Sequence, residues 1–413
     1  HLVRDLADDP VINRVVGRAS DVLAVAEPAR AMALAALATG SDRRPVVVAV
    51  PTTTEADRLA ADLSVYLGPD EVLTYPAWET LPFERISPSI EAMGQRLRVL
   101  WHITGGNTAT PTRQPRIVVA PVRALIQRLS PHVDEVDPII IGAEDQVDQQ
   151  DLVARLVAFG YRREAQVEHR GELAVRGSII DIFPSTADGP YRIDLWGDEV
   201  DRLSEFAIAD QRSTADRAEI EIFPCRELLI SEDIQTRAEA LRASAPWGIE
   251  QWQRLADGEL FDGMESWLPW LIDDGPGAAG DRVLTDLLGP DALVVLVEPR
   301  RMRDRAADLL AEEADLATSL ARTWGAVDET TEGAADGDGS GFPKLHIPFD
   351  RLLAKTSVPA VTVSAVPEGP DVAQLPASGW EAPGEALAAH LNKLVADGSR
   401  LVVAADGAGT ASR

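Results

Sequence analysis

The first 130 residues alternate short apolar runs with segments of helical periodicity. An alanine-rich helix ends near Gly40, and a third helix spans roughly residues 89–103. Between them lies a helix that ends at Leu67 and for which Thr54 and Asp57 form a capping box. Strands that alternate with helices in this way are typical of a parallel sheet with crossover helices. The apolar runs, which are rich in β-branched residues, predict strands at residues 22–26, 46–50, 72–75 and 116–120.

From residue 148 the pattern changes to short segments separated by turns, after one helix that ends near Gly160. Residues 184–190 and 197–198 supply the Pro, Gly and Asp of turns and hairpins. The order predicts an antiparallel meander in a small α+β domain that interrupts the first one. The strand candidates of this meander are residues 173–183, 191–196 and 199–208.

Helical patterns return after residue 227, and an apolar run at residues 293–297 indicates that the α/β layer resumes there. Residues 327–341 are acidic and rich in Gly and Ala without hydrophobic periodicity, so we interpret them as a flexible connection. Beyond them, predicted strands at 360–364 and 400–405 surround a helix at 385–396, which is too little chain to close a large core.

The predicted fold class is therefore α/β. A parallel-sheet domain is interrupted by a small α+β domain with an antiparallel sheet and is followed by a partial third α/β domain, as the length of 413 residues allows. We expect the first domain at residues 1–140 and again at 231–340, where it ends in the flexible connection. The inserted domain is expected at residues 141–230 and a truncated third domain at 341–413.

Composition limits the function classes. The 67 Asp and Glu residues outnumber the 39 Lys and Arg residues, and the formal charge of -28 opposes tight binding to phosphate backbones, although a local basic patch is still possible. No apolar stretch approaches the roughly 20 residues that span a bilayer, so we expect no membrane partner. The single cysteine, Cys225, cannot form an internal disulfide and is expected to be inert, which favours a cytoplasmic location.

A strand that enters an alanine-rich helix at the start of an α/β domain is where a nucleotide-binding P-loop belongs. Such a loop needs glycines to wrap phosphate, a Lys for the outer phosphates and a Ser or Thr hydroxyl for magnesium. Residues 23–31 contain no glycine, Pro28 has no N–H, and Glu27 would place a carboxylate against phosphate. We predict an inactive, degenerate site built from Ala24, Ala29, Arg30 and Ala31.

Magnesium would also need carboxylates at the end of a second apolar strand. Glu298 follows the run at residues 293–297, but it is a single acid where a pair is expected, which favours a strand end or a helix cap. The six His residues are scattered, and one Cys excludes thiolate clusters, so we expect no metal site, no catalytic residue and no cofactor.

Several distinct motifs occur in a fixed order along the chain: WETLPF at residues 78–83, GYR at 160–162, VRGSIIDIFP at 175–184, PYRIDLW at 190–196 and GMESW at 263–267. Together they resemble the N-terminal region of the bacterial transcription-repair coupling factors, the Mfd family, which is similar to the excision-repair protein UvrB. The resemblance implies a UvrB-like first domain interrupted by a UvrA-binding domain and followed by a small third domain. It also implies that the ATP-dependent DNA translocase motor and the RNA polymerase-binding domain lie beyond this region.

The resemblance further implies that Arg176, Arg192 and Trp196 contact UvrA. Side-chain alternation independently places Arg192 and Trp196 on one face of the predicted strand 191–196. If Phe183 pairs with Tyr191 across the hairpin, Arg176 lies on the same face as Arg192 and Trp196. A slip of one residue in this register would place Arg176 on the opposite face. The alternative from pattern alone is that Trp196 covers the edge of a small core, with the Arg stems stacked on it.

Further arginines lie near these positions. Arg162, Arg163 and Arg170 are candidates for rim charge around the same surface, although the pattern favours a solvated position for each. Trp252, Trp267 and Trp270 have acidic neighbours, which favours structural packing over stacking on nucleic-acid bases.

The leading hypothesis is a nonenzymatic module that recruits UvrA to stalled RNA polymerase by mimicking the UvrA-binding surface of UvrB. In this hypothesis RNA polymerase and DNA are reached through other regions of the full-length protein, and ATP and magnesium belong to the motor domains. The alternative is an ATP-dependent DNA helicase or damage-verifying protein similar to UvrB. A third possibility is an acidic scaffold without a dedicated partner.

Overall fold

A computed structural model describes residues 2–16, 22–105, 114–272, 281–323, 342–366, 372–375 and 384–398. The chain forms two compact units, His1–Gln374 and Leu375–Arg413. The described part of the second unit contains the helix α13. In chain order, the described helices are α1 (Leu2–Ala7), α2 (Pro10–Val16), α3 (Arg30–Gly40), α4 (Thr53–Leu67), α5 (Ile90–Thr104), α6 (Val122–Leu125), α7 (Gln149–Ala158), α8 (Glu232–Ser244), α9 (Ile249–Ala256), α10 (Leu268–Leu271), α11 (Pro299–Thr323), α12 (Phe349–Lys355) and α13 (Gly384–Ala396).

The strands form two larger sheets and one two-stranded ladder. In chain order, the described strands are β1 (Val22–Ala24), β2 (Val46–Val50), β3 (Val72–Thr74), β4 (Ile117–Pro121), β5 (Ile139–Gly142), β6 (Arg162–Arg163), β7 (Glu172–Arg176), β8 (Ile179–Ile182), β9 (Tyr191–Trp196), β10 (Glu199–Phe206), β11 (Ser213–Asp216), β12 (Glu219–Ile222), β13 (Leu293–Val297), β14 (Ala360–Ser364) and β15 (Val372–Gln374).

Among the described residues, the first sheet has seven parallel strands in the order β15-β1-β14-β13-β2-β4-β3. Its central strands β2, β4 and β13 are buried along their whole length, as in a sheet covered on both faces. The predicted strands of the first 130 residues are all present within one or two residues of their expected ends, so the α/β fold class is confirmed. The cap of α4 differs from the expected one: Thr52, not Thr54, accepts the hydrogen bond from the Glu55 N–H.

The expectation of a separate domain that begins at residue 341 differs from the structure. Strand β14 lies between β1 and β13, and β15 pairs with the other side of β1, so both complete the first sheet. The order of strands in a parallel sheet is set by the crossover connections, which strand periodicity does not report. The predicted connection at 327–341 and the strand at 400–405 lie outside the described residues.

The second sheet is the predicted meander, with strand order β11-β10-β9-β8-β7-β6. All its neighbouring strands pair antiparallel except the short β6, which is parallel to β7. The strand expected at residues 173–183 is instead a hairpin, β7 and β8, which turns at Gly177 and Ser178. Gly177 has φ of 62°, a conformation that a glycine adopts without strain.

A buried ion pair joins the meander to the first sheet. The Arg96 guanidinium on α5 donates to both oxygens of Glu227, at 2.7 Å from Nε to Oε2 and 3.0 Å from Nη2 to Oε1. Both side chains are fully buried, and the indole N–H of Trp78 donates to the same carboxylate at 2.7 Å. Arg96 also donates to the carbonyl of Pro76. The point where the chain leaves the inserted segment is thereby held against the loop that follows β3.

The neighbouring Arg226 makes a second ionic contact with the first domain. Its guanidinium donates to the buried Glu265 and to Asp262, while Ser87 bridges Arg226 and Glu265. Burial raises the pKa of Glu265, and the nearby charge of Arg226 opposes that rise. Arg226 and Glu227 thus fix the end of the inserted segment to two parts of the first domain. Glu227 binds α5 and the loop after β3, and Arg226 binds the loop at residues 262–265.

The tryptophan-rich stretch is structural, as its acidic neighbours indicated. Trp252, Trp267 and Trp270 are buried in one apolar cluster with Phe83 and Phe342. The rings of Trp252 and Trp267 pack edge to face, with 4.8 Å between their centroids. These side chains are therefore not exposed for stacking on bases.

We expect Glu227→Gln to lower the free energy of unfolding by about 3–5 kcal/mol, because it leaves the buried Arg96 guanidinium without a counter-charge. Urea unfolding followed by circular dichroism measures the change. The control is Glu239→Gln, which removes an exposed partner of Arg242 and should change stability by about 0.5 kcal/mol or less. Equal effects of the two substitutions would contradict the structural role of the buried pair.

Gly94→Ala tests the contact between α5 and the turn after β8. A Cβ at Gly94 would lie 2.4 Å from the Ser185 Oγ, which is itself held by the Phe223 carbonyl. Alanine favours a helix by about 1 kcal/mol over glycine, but overpacking costs about 1–3 kcal/mol, so we expect a lower melting temperature. Gly189→Ala, which meets no atom within 4 Å, is the control, and a stabilised Gly94→Ala variant would contradict the contact.

Candidate functional site

The predicted contact residues lie on one face of the meander, although the register that was expected is wrong. Tyr191 pairs with Ile182 rather than Phe183, which is a slip of one residue. The hairpin at Gly177 compensates for this slip, because it returns the chain so that Arg176 lies opposite Ile179. Cross-strand partners share a face, and Ile179 lies opposite Asp194, two residues from both Arg192 and Trp196.

A buried carboxylate lies between the two arginines. Arg192 binds it through a two-pronged contact, from Nε to Oδ1 of Asp181 at 2.7 Å and from Nη2 to Oδ2 at 3.0 Å. The Arg176 guanidinium donates to the same Oδ2. Asp181 is fully buried, whereas the side chain of Arg176 is 44% exposed and that of Arg192 is 14% exposed. The hydrogen bond to Asp181 holds the pKa of Arg192 above its usual range.

Arg192 is fixed on its other sides as well. Its guanidinium carbon lies 4.9 Å from the centre of the Phe206 ring, a cation–π contact, and Nη1 donates to the carbonyl of Gln211 at 3.1 Å. The arginine therefore stacks on Phe206 rather than on Trp196. The alternative interpretation, in which Trp196 covers the edge of a core and the arginine stems stack on it, requires Arg192 to lie on Trp196. The structure places Arg192 on Phe206 instead.

Trp196 is 83% exposed at the end of β9. It precedes Gly197, which has φ of 65° and opens the hairpin to β10. Strands β7 and β9 run in the same direction, since both are antiparallel to β8, so Trp196 and Arg176 lie at the same end of the sheet. We call Arg176, Asp181, Arg192 and Trp196 the Arg–Trp face.

The other arginines divide into two groups. Arg162 and Arg163 are exposed on the edge strand β6, where they can add positive charge. Arg170 is held in the structure, because it donates to the carbonyls of Ser185 and Ala187 and lies over the ring of Phe183.

An internal ion pair lies at the position where the sequence predicts a degenerate nucleotide site. Arg30 Nη2 at the start of α3 lies 2.8 Å from Oε1 of Glu298, which follows β13. The same carboxylate accepts hydrogen bonds from the Ala365 N–H at 2.8 Å and the Ser364 hydroxyl at 3.2 Å, at the end of β14. The positive charge that the sequence leaves at this position thus faces a carboxylate of the chain itself.

The backbone around Arg30 offers little for phosphate binding. The residues before it form a single turn of 3-10 helix, Glu27–Ala29, with Pro28 inside it. Ala24 and Ala31 are buried and carry no polar side-chain atoms. Glycines and a hydroxyl, which a phosphate cradle needs, are lacking here.

Two observations concern other chemistry. Cys225 is buried, and burial raises its pKa to about 12, which disfavours the reactive thiolate. Among the described residues, no group of His, Cys, Asp and Glu is arranged to hold a metal ion, and no helix has the length and apolar character needed to cross a membrane.

Comparison with known proteins identifies the family. Residues 139–228 match the model of the UvrB interaction domain, a range that contains the whole Arg–Trp face. Over 98% of its length the chain is 36% identical to the transcription-repair-coupling factor of Mycobacterium bovis. The corresponding proteins of Myxococcus xanthus and Escherichia coli are 33% and 27% identical over 71% and 65% of the chain. The chain belongs to the transcription-repair-coupling factor family. It spans a third or less of the length of these relatives, at 33%, 24% and 25%.

The motifs that resemble the coupling factors have separate places in this structure. Trp78 and Glu265 take part in the ties between the meander and the first sheet. Gly263 has φ of 85° and lies so close to the Arg85 carbonyl that a side chain would collide with it. The motif at residues 175–184 instead supplies Arg176 and Asp181 to the Arg–Trp face.

Sequence reasoning did not single out Asp181. The available signal was its position, since one carboxylate interrupts the apolar run Ile179–Ile182 and shares the parity of the arginines once the strands are paired. A buried acid in such a run requires a cationic partner.

Proposed function

We propose that this chain is the nonenzymatic UvrA-recruiting module of a transcription-repair coupling factor. It docks on UvrA in the cytoplasm through the Arg–Trp face, which mimics the UvrA-binding surface of UvrB, and so links stalled RNA polymerase to nucleotide excision repair. The observation that carries the proposal is an exposed tryptophan beside two fixed guanidinium groups, within the residues that match the UvrB interaction domain. RNA polymerase and DNA are contacted through other regions of the full-length protein.

The chemistry of the face supports a protein partner. Tryptophan and arginine are enriched among the residues that dominate binding energy, because each buries a large area and forms directed contacts. A tryptophan that is 83% exposed leaves most of its apolar surface in water until a partner covers it. The formal charge of -28 disfavours a nucleic-acid backbone as the main ligand of the chain.

The closed nucleotide position supports a nonenzymatic role. Arg30 is paired with Glu298, and that carboxylate also accepts hydrogen bonds from Ser364 and Ala365. A nucleotide would have to displace this carboxylate and would find no glycine-rich cradle. In this proposal ATP and magnesium act only in the motor domains of the full-length factor.

Alanine substitutions test the docking surface. We expect Arg176→Ala, Arg192→Ala and Trp196→Ala each to weaken binding to full-length UvrA by about 30-fold, which corresponds to about 2 kcal/mol at an interface hot spot. Surface plasmon resonance with immobilised UvrA measures the dissociation constants. The control is Arg242→Ala, a surface arginine of α8 that pairs with Glu239 and lies outside the matched residues 139–228. Unchanged affinity in all three variants would remove the assigned surface.

Calorimetric titration of the chain with ATP and magnesium tests the nucleotide position. We expect no saturable heat, because the cation is neutralised internally and the phosphate cradle is lacking. Saturable binding that disappears in Arg30→Ala would instead support the alternative function, an ATP-dependent helicase or damage-verifying protein similar to UvrB.

A further inference from the structure

We infer that Asp181 is the positioning residue of the Arg–Trp face: its buried carboxylate fixes both guanidinium groups before UvrA arrives, without touching UvrA itself. The inference rests on the proposed function, since it concerns how the same surface binds. The observation behind it is that two arginines from different strands converge on one fully buried carboxylate.

The hydrogen bonds of the two arginines indicate different roles for them. Arg192 directs Nε and Nη2 to Asp181 and Nη1 to the Gln211 carbonyl, so its polar edge faces the protein. Arg176 donates to Asp181 through Nη2, and its side chain is 44% exposed, so it is accessible to a partner. Arg192 thus braces the carboxylate, and Arg176 presents donors to the partner.

A fixed arginine binds more tightly than a mobile one. An arginine side chain has many rotamers, and ordering it at the moment of association opposes binding. Here the ordering has already occurred, because Asp181 lies on a central strand of the sheet, opposite Arg192 and two residues from Ile179, the partner of Arg176. Preorganisation of this kind should appear mainly as a slower dissociation rate.

The positioning role and a simple charge effect predict opposite changes in affinity when the Asp181 carboxylate is removed. A partner that meets exposed arginines is expected to present acceptor oxygens of negative charge. If Asp181 acted only through its charge, removing that charge would strengthen binding to such a partner. If it positions the arginines, removing it weakens binding.

The experiment measures binding of the whole chain to full-length UvrA by surface plasmon resonance. We expect Asp181→Asn to weaken binding by about tenfold, mainly through faster dissociation. The matched control is Asp194→Asn, which removes the same charge from the same face at a carboxylate that is not the hydrogen-bond acceptor of either arginine. We expect this variant to bind within about twofold of the parent chain.

A double-mutant cycle separates positioning from general damage to the fold. The loss caused by Asp181→Asn should shrink to about threefold in an Arg176→Ala background, because the arginine that presents donors is already absent. In a Trp196→Ala background the loss should stay near tenfold, since Trp196 lies four residues along β9 from Arg192, the cross-strand partner of Asp181. Thermal unfolding of each variant is recorded in parallel. If Asp181→Asn does not fold, Asp181→Ser, which is smaller and keeps a hydrogen-bond acceptor, replaces it in the cycle.

The outcomes distinguish the inference from the proposed function. Loss of binding in Arg176→Ala and Trp196→Ala together with unchanged or tighter binding in Asp181→Asn would overturn the positioning role alone. If Asp181→Asn caused an equal loss of affinity in the parent chain, in Arg176→Ala and in Trp196→Ala, the positioning role would also be overturned. A general defect of the fold would then account for the effect. Unchanged binding in both the arginine and the tryptophan variants would instead overturn the docking surface itself.

Discussion

The buried pair of Arg96 and Glu227 is the contact on which the arrangement of the two sheets depends. Taking two charges out of water opposes folding unless each finds good partners, and here the carboxylate accepts two bonds from Arg96 and one from Trp78. The geometry allows little movement, because a small displacement would leave buried charges with poorer hydrogen bonds. The end of the inserted segment is therefore fixed to α5. Since Arg226 is bound to Glu265 on another loop, the meander cannot turn about a single contact.

That constraint explains how a surface on a small sheet can be presented rigidly. The inner face of the meander packs in one apolar cluster with α7 and with the ladder of β5 and β12. The Arg–Trp face lies on the opposite side, because side chains alternate along each strand. Because Gly94 has no side chain, α5 packs closely against the turn at Ser185, in the connection between β8 and β9. Strand β9, which carries Arg192 and Trp196, is thus held by the apolar cluster on its inner face and by the contact of α5 with the turn that precedes it.

Much of the fold could be predicted from the sequence, and the part that could not has a common cause. The strands of the parallel sheet are apolar runs of the right length, and their existence follows from local pattern. Their order does not, so β14 was assigned to a third domain although it lies between β1 and β13. The apolar character of residues 173–183 concealed a hairpin, because Gly177 and Ser178 interrupt the run only briefly. For Arg176 the missed hairpin and the wrong register cancelled, since each reverses the face on which a residue lies.

The same cause limits prediction of the site. Arg176, Arg192 and Trp196 could be proposed from the family resemblance and from strand alternation. Asp181 could not, because its arginine partners are five and eleven residues away and meet it only through the pairing of three strands. Glu298 and Arg30 are separated by 268 positions, and no local pattern connects them. Ionic contacts between strands are a property of register and topology, which the sequence does not display locally.

The pair of Arg30 and Glu298 indicates how an α/β domain of this type can persist without a ligand. The Arg30 cation at the start of α3 would be left without a partner if the site held no phosphate, and an uncompensated, partly buried charge lowers stability. The Glu298 carboxylate supplies the negative charge from within the chain and also binds Ser364 and Ala365 at the end of β14, so it connects the start of α3 with the ends of β13 and β14. In the proposed nonenzymatic role, this internal pair takes the place of a bound nucleotide. In the proposed module, the support for the Arg–Trp face would then be the same at every stage of the ATP cycle of a motor located elsewhere in the full-length protein.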